Sequence, residues 1–299
     1  MTNRIEFYKN RGIGERFSVA IDFLKQNWKV LYKNILLLGL PLAIIMGYFL
    51  ARQTDAQALT DLPNLFLYYG IFMIISITNM IYMYSMTGAV LHHYECGQLT
   101  ESTGWNSLKD TFFKFSGKTT LIILVVYIPI IIIVAIFAAI FGVSVTAFSS
   151  EGPQAISILL LIFFILLLLG GIIALAPSFI MLFFPSYFSK KTIWESIKAS
   201  IVLGFKNWGS LFVAIILVGI VITVASLVFN MPFQIMSIFT TIRGGGINIF
   251  SYILAIFSTT GTMLTTPIMI IIFAFQYFSI VEKEEGISLK SQLDEFENL

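Results

Sequence analysis

Six long apolar segments without a single Asp, Glu, Lys or Arg constrain this chain more than any other feature. They cover approximately 35–51, 65–91, 120–148, 155–187, 210–229 and 249–281. A helix rises about 1.5 Å per residue and a bilayer core is about 30 Å thick, so the first segment is barely long enough to cross it. The sequence therefore predicts an all-α, polytopic membrane protein with six transmembrane helices.

The composition excludes a soluble domain. Hydrophobic residues make up 58% of the 299 residues and charged residues only 11%, whereas soluble domains are about 25% charged. The single cysteine, Cys96, excludes an internal disulfide and a Cys-rich metal site. The polar and amphipathic stretch before the first apolar segment is too long for the start of a signal peptide, so we expect that segment to be a retained span.

The distribution of positive charge predicts the orientation of the chain. In a six-span topology, sixteen of the eighteen Lys and Arg residues lie on one side of the membrane. They are Arg4, Lys9, Arg11, Arg16, Lys25, Lys29, Lys33, Lys109, Lys114, Lys118, Lys190, Lys191, Lys198, Lys206, Lys283 and Lys290. Only Arg52 and Arg243 lie on the other side. Because cytoplasmic segments carry the excess of Lys and Arg, we expect a bacterial-type inner membrane protein with both termini in the cytoplasm.

Amphipathic segments precede spans 1, 3 and 5. In the clearest of them, five apolar side chains recur every three or four residues and share one helical face: Trp194, Ile197, Ile201, Phe205 and Trp208. Thr192 and Glu195 have the spacing of a capping box at a helix start. A charged, Trp-bearing helix that leads directly into an uncharged segment predicts a helix lying in the membrane interface.

The segments before spans 1 and 3 carry similar stripes. These are Phe17, Ile21, Leu24, Trp28, Leu31 and Tyr32 before span 1, and Trp105, Leu108, Phe112 and Phe115 before span 3. Basic residues beside a Trp-bearing stripe favour anionic headgroups, although a soluble helix that covers other helices is an alternative. The candidate lipid contacts are Lys25, Trp28, Lys29, Lys33, Trp105, Trp194 and Trp208. The expected partners are membrane lipids with anionic headgroups on the cytoplasmic side.

Matches at constant offsets predict parallel repeats of about 90 residues in a single membrane domain. Pro177 and Pro267 are 90 positions apart, as are the two Tyr-Phe-Ser runs that begin at Tyr187 and Tyr277. Thr103–Lys109 and Thr192–Lys198 are 89 apart and share Thr, Trp, Ser and Lys. The predicted units are 12–100, 101–190 and 191–285, followed by a cytoplasmic tail at 286–299, and the first unit fits least well.

The stretch Trp194–Trp208, preceded by Pro177 and the run Tyr187-Phe188-Ser189, resembles a group of bacterial integral membrane proteins. These proteins are grouped with the membrane domain of glycerophosphodiester phosphodiesterases, and Phe17–Trp28 looks like the same element. The resemblance implies a fold and a membrane location. It does not imply phosphodiesterase activity, because members with that activity carry a separate soluble catalytic domain, and spans and interfacial helices occupy almost every residue here.

The polar residues inside the spans offer few candidates for chemistry. The absence of intramembrane charge argues against a proton-coupled transporter with a buried carboxylate. Asn79 is predicted to bond another helix, and a ligand role in a cavity or hinge is the alternative. Thr262, Thr265 and Thr266 precede Pro267. Such threonines either satisfy carbonyls freed by the proline and tighten helix packing, or line a cavity or hinge. Pro177 in span 4 and Pro267 are candidate hinge positions as well.

His92, His93, Glu95 and Cys96 cluster at the end of span 2, but adjacent histidines on a helix point about 100° apart and do not easily share an ion. The sequence therefore predicts no catalytic, cofactor or metal site. Three functions remain open. They are a non-enzymatic scaffold or lipid-interacting membrane protein, a carrier or channel for a small neutral or apolar solute, and an intramembrane enzyme based on His92, His93 and Cys96.

Overall fold

A computed structural model of the chain describes residues 4–53, 62–149, 154–189, 191–242 and 248–288. These residues form eight α-helices and no β-strand. The helices are α1 (Ile13–Gln53), α2 (Leu62–Glu95), α3 (Trp105–Ser149), α4 (Gln154–Met181), α5 (Phe184–Phe188), α6 (Ile193–Lys206), α7 (Trp208–Ile242) and α8 (Ile249–Glu285). The predicted all-α fold is confirmed.

Six helical stretches in the described part of the chain are long and apolar enough to cross a membrane. They are Ile13–Gln53, Leu67–Glu95, Trp105–Ile132, Ile162–Phe188, Trp208–Thr240 and Ile249–Glu285. Each overlaps one of the uncharged segments, although the third, Trp105–Ile132, contains only the first part of the segment 120–148. The prediction of a multi-pass helical protein is confirmed. Lys190, Arg243 and Lys290, which entered the charge count, lie outside the described residues, as does the tail from position 289.

The amphipathic segments differ from the expected three separate helices. Residues 13–34 and 105–118 are the first turns of α1 and α3 and continue into the spans without a break. Only α6 is a helix of its own, because Asn207 leaves the helical region with φ −112° and ψ 26° before α7 begins at Trp208. A change from amphipathic to uniformly apolar sequence does not by itself end a helix, since the backbone hydrogen bonds continue.

The chain divides into two compact units. Unit 1 comprises Met1–Ser116 and Val213–Leu299, and unit 2 comprises Gly117–Phe212. Unit 1 contains α1, α2, α8 and most of α7, and unit 2 contains most of α3 together with α4, α5 and α6. The three repeats of about 90 residues stay a prediction.

Helix α8 is the central helix of unit 1. Its apolar window is 78% buried, whereas the windows of the other five candidate spans are between 11% and 33% buried. The helix is capped at its start by Asn248, whose side chain accepts a hydrogen bond from the Ser251 amide at 2.9 Å. It is capped at its end by Gly286, which adopts the left-handed conformation with φ 59°. The remaining helices of unit 1 therefore place more of their apolar surface outward.

Small side chains let α1 approach α8 closely. Gly39, Ala43, Gly47 and Ala51 recur every four residues and are all buried. A Cβ atom on Gly47 would lie 2.6 Å from the Cα of Ile256 in α8. The Thr259 hydroxyl of α8 donates to the Ala43 carbonyl at 2.7 Å. This is the small-residue packing that is typical of membrane helices.

The residues before α1 bind the ends of α2 and α8 together. The Ile5 amide donates to the Tyr94 hydroxyl at 2.9 Å, and the Arg11 amide donates to the Ser279 hydroxyl at 2.9 Å. Between them, the Phe7 ring lies 5.6 Å from that of Tyr94 and 4.6 Å from that of Phe278. Because α1 begins where α2 and α8 end, α1 runs antiparallel to both.

Candidate functional site

The exposed face of α1 carries basic residues around a tryptophan. Lys25, Trp28, Lys29 and Lys33, which we call the α1 basic face, are all exposed, and Trp28 is 54% exposed. The Lys25 ammonium lies 3.8 Å from a carboxylate oxygen of Asp22. Exposure of a large aromatic ring among ammonium groups is the arrangement that suits the headgroup region of a bilayer.

The opposite face of α1 is buried and includes an arginine. Arg16 is 6% exposed, and its guanidinium donates to the side-chain oxygen of Gln276 at 2.9 Å and to the Arg11 carbonyl at 2.8 Å. Burial lowers the pKa of Arg11, which lies beside it. The charge distribution assigned Arg16 only to the cytoplasmic side, and nothing in its sequence neighbourhood indicated Gln276, which is 260 positions away.

In unit 2, α6 packs on α4 through small residues. Ser196, Ser200 and Gly204 are spaced by four residues and are buried. The Ser200 hydroxyl donates to the carbonyls of Met181, where α4 ends, at 3.2 Å and of Ser196 at 2.8 Å. A Cβ atom on Gly204 would lie 2.6 Å from the Cα of Ser178. The spacing Ser-x-x-x-Ser-x-x-x-Gly is the sequence signal for this contact. The predicted apolar stripe of α6 did not include these small residues.

This packing leaves most of the large apolar side chains of α6 exposed on the surface of unit 2. Trp194 is 59% exposed, Ile201 42% and Phe205 50%, whereas Ile197 is buried. The Lys198 ammonium lies 5.5 Å from the centroid of the Trp194 ring, within cation–π distance. The exposed side of α6 is therefore an apolar band with a cation next to its tryptophan.

A capping box fixes the start of α6. The Thr192 amide donates to the Glu195 carboxylate at 2.8 Å, and the Glu195 amide donates to the Thr192 hydroxyl at 3.4 Å. The predicted box is therefore confirmed. The hydrogen bonds from Thr192 hold the pKa of Glu195 below its usual value, which keeps this carboxylate ionised and turned toward the helix start.

A groove of about 170 Å³ lies beside α6 in unit 2. It is lined by Val126 of α3, by Leu175, Ser178, Phe179 and Leu182 of α4 and its end, and by Ile197 and Ile201 of α6. Ser178 is the polar side chain among these seven residues, and its hydroxyl points at the Ile201 carbonyl at 3.5 Å. We call this feature the α4–α6 groove.

The other two tryptophans among the predicted lipid contacts are half-buried. The Trp208 indole donates to the Ala174 carbonyl at 3.2 Å and stacks on Phe212 with ring centroids 4.6 Å apart. Trp105 lies edge-on to Phe112 at 5.2 Å. Trp208 thereby joins the beginning of α7 to α4, near Pro177. Its indole holds two helices together while part of the ring stays exposed.

The predicted cavity or hinge residues of α8 form local hydrogen bonds. The hydroxyls of Thr265 and Thr266 donate to the Thr262 carbonyl at 3.0 and 2.7 Å, and the Thr262 hydroxyl donates to the Ser258 carbonyl at 3.1 Å. Helix α8 continues through Pro267 without interruption. These bonds favour the packing interpretation over a polar cavity.

Two further predicted positions lie elsewhere. Asn79 is half-buried in α2, and its side-chain oxygen has no hydrogen-bond partner among the described residues, so a bond to another helix stays a prediction. Pro177 is buried inside α4, which ends four residues later at Met181. Asn79 and the threonines of α8 belong to unit 1, and Pro177 belongs to unit 2.

The two histidines at the end of α2 face different partners. His93 lies between the carbonyls of Ala89 and Ser107, at 3.0 and 3.1 Å. His92 has one ring nitrogen 3.7 Å from a Glu95 oxygen and the other 3.8 Å from the Cys96 sulfur. Within the described ranges, no three His, Cys, Asp or Glu side chains converge as a metal site.

Comparisons with known proteins return no match, whether with family models, with curated proteins or with solved structures. The resemblance to the membrane domain of glycerophosphodiester phosphodiesterases therefore stays a prediction.

Proposed function

We propose that this protein is a non-enzymatic lipid-interacting membrane protein that holds anionic lipids at one face of the bilayer. The observation that carries the proposal is the α1 basic face, where Trp28 is 54% exposed among three exposed lysines. The same helix buries Ala20, Phe23 and Leu31 on its other side. The basic side is thus held outward by a packed core and remains available to lipid.

The chemistry of this face suits a membrane surface. Each Lys near an anionic leaflet contributes roughly 1 kcal/mol of attraction, and the attraction falls off within a Debye length. The Trp ring places an apolar body and a polar N–H at the headgroup level. Three lysines at four-residue spacing therefore favour anionic over zwitterionic lipids without the need for a binding pocket.

The charge distribution supports a bacterial-type inner membrane with cytoplasmic termini as the setting of this function. Unit 1 gathers the beginning of α1 and the ends of α2 and α8 at one pole through Phe7, Tyr94 and Phe278. Arg11 and Arg16 belong to that pole, because they bond Ser279 and Gln276 of α8. Anionic lipids of the cytoplasmic leaflet are the partners that this charge would select.

Charge reversal tests the proposal. The variant with Lys25→Glu, Lys29→Glu and Lys33→Glu is purified with an equimolar mixture of phosphatidylglycerol and phosphatidylcholine, and retained lipids are counted by native mass spectrometry. We expect retention of phosphatidylglycerol to fall by at least about tenfold, since three attractive charges become repulsive.

The matched control replaces the same three lysines with arginine, which keeps the charge and should keep the lipid. Thermal unfolding of both variants checks that the core is intact. Equal retention of phosphatidylglycerol by the glutamate and arginine variants would contradict the proposal.

A further inference from the structure

We infer that the α4–α6 groove binds one acyl chain of an anionic glycerophospholipid whose headgroup lies at Lys198 and Trp194. The inference rests on the proposed function for the bilayer setting and the lipid class. It assigns a specific site in unit 2, whereas the α1 basic face is a surface in unit 1.

The groove is built by the backbone packing of unit 2. Gly204 sits directly on Ser178, and Ser200 bonds the carbonyl where α4 ends. These contacts fix the separation of α6 and α4, so the larger side chains beside them cannot close the space. Leu182 and Ile197 form its buried floor. The groove is therefore a fixed feature of the helix pair.

The lining selects a hydrocarbon occupant. Six of its seven residues are apolar, and the hydroxyl of Ser178 points at the Ile201 carbonyl instead of into open space. A water molecule needs two to four polar partners to be held in a cavity, and this lining does not supply them. An alkyl chain gains roughly 0.8 kcal/mol for each methylene that it buries there.

One end of the groove is continuous with the apolar outer surface of α4. Leu175 lines the groove and is 39% exposed, while Ile172 and Ile173, a turn earlier, are 63% and 46% exposed. This part of α4 lies within a stretch long and apolar enough to span a membrane. A lipid chain can therefore enter the groove from the bilayer without passing a polar surface.

A positive charge lies on the same side of α6 as the groove. Lys198 is three residues before Ile201 and four after Trp194, so the three side chains share one helical face. The ammonium of Lys198 is exposed and lies 5.5 Å from the Trp194 ring centroid. Glu195 is engaged with Thr192 in the capping box. The polar end of the site thus presents a cation and an indole, which complement an anionic headgroup.

The test fills the groove and removes the cation separately. Ile201→Trp places a bulky ring in the groove at a position that is already 42% exposed, and Lys198→Gln removes the charge. Each variant is delipidated in mild detergent, mixed with dioleoyl phosphatidylglycerol or dioleoyl phosphatidylcholine, and examined by native mass spectrometry. In the wild type, the groove should hold one tightly bound phosphatidylglycerol molecule per chain, in addition to the lipids retained at the α1 basic face.

We expect Ile201→Trp to reduce occupancy of this single tight site by either lipid by about tenfold, because several methylenes lose their site. We expect Lys198→Gln to remove the preference of this site for phosphatidylglycerol while phosphatidylcholine binds there as before. The matched controls are Val202→Trp, on the same helix but 62% exposed and outside the groove lining, and Lys206→Gln. Both controls should bind lipid like the wild type.

Two outcomes with the groove variants would overturn the inference. In one, Ile201→Trp and Val202→Trp retain lipid equally. In the other, the mass spectra show that Ile201→Trp converts a dimer into a monomer with no change in lipid, so a second copy of the chain is the occupant. A third measurement leaves the groove unaltered. Phosphatidylglycerol with brominated acyl chains should quench the fluorescence of Trp194, which is obtained as the difference between the wild type and Trp194→Phe. Absence of this quenching would also overturn the inference.

The two lipid proposals fail separately. Suppose that charge reversal at Lys25, Lys29 and Lys33 causes no loss of lipid while Ile201→Trp abolishes the single tight lipid. The groove inference is then supported, and the proposed function of the α1 basic face is contradicted. The converse result removes the groove and keeps the proposed function of the α1 basic face.

Discussion

At the scale of single residues, the absence of a side chain determines how closely the helices approach. Gly47 meets the backbone of Ile256, and Gly204 meets the backbone of Ser178. In both places a Cβ atom would fall well inside van der Waals distance of main-chain atoms, which cannot rotate away as a side chain can. These glycines therefore set the separation of α1 from α8 and of α6 from α4.

Alanine at Gly47 should destabilise unit 1. Alanine is favoured over glycine in a helix by roughly 1 kcal/mol, but the clash with Ile256 forces the two helices apart, and overpacking costs about 1–3 kcal/mol. We expect a net loss of about 1 kcal/mol, measured as a lower midpoint of unfolding in detergent mixtures. Gly70→Ala is the control, because nothing lies within 4 Å of its Cβ position. An equal response of the two variants would count against this account of the packing.

At the scale of helices, the sequence predicted local features better than distant ones. The capping box of Thr192 and Glu195 was predictable because both partners lie within one turn. The continuity of α1 was not predicted, because the sequence changes from amphipathic to uniformly apolar near Asn34. The helical backbone nevertheless continues to Gln53. The burial of Arg16 was also missed, since its partner Gln276 comes from the other end of the chain. The α4–α6 groove likewise depends on contacts between helices that no single stretch specifies.

Removal of the cap should loosen the start of α6. Thr192→Ala deletes the hydroxyl that accepts from the Glu195 amide and costs about 1 kcal/mol. We expect faster hydrogen exchange at the amides of Glu195 and Ser196, whereas Thr192→Ser keeps the oxygen and should exchange like the wild type. If alanine and serine exchange alike, the hydroxyl does not hold this turn.

The same cap predicts a dependence on pH. The pKa of Glu195 is held below its usual value by hydrogen bonds from Thr192. The stabilisation is therefore fully present above the ordinary pKa of glutamate and is lost as the pH falls through the lowered value. Protection of the first turn of α6 should decline in acid, and Glu195→Gln should show protection that does not vary over that range.

At the scale of the whole molecule, the described helices combine a buried helix with others that are open to their surroundings. In its apolar window, α8 has 78% of its residues buried, whereas the corresponding window of α2 has 11% buried. Leu67, Met73 and Ile74 of α2 are each more than half exposed. In water a protein with such a surface would aggregate. In a bilayer, exposure of these side chains carries no hydrophobic free-energy penalty, because lipid tails are equally apolar. The charge distribution then determines which way the helices cross.

The single cysteine offers a direct test of that orientation. Cys96 is exposed and follows the last residue of α2, on the side that the charge distribution assigns to the cytoplasm. A membrane-impermeant maleimide should therefore label it in permeabilised cells and not in intact spheroplasts. In a Cys96→Ser background, Arg52→Cys lies near the other end of α1 and should label in intact spheroplasts. Labelling of Cys96 from outside would reverse the topology and move the α1 basic face away from the anionic cytoplasmic leaflet.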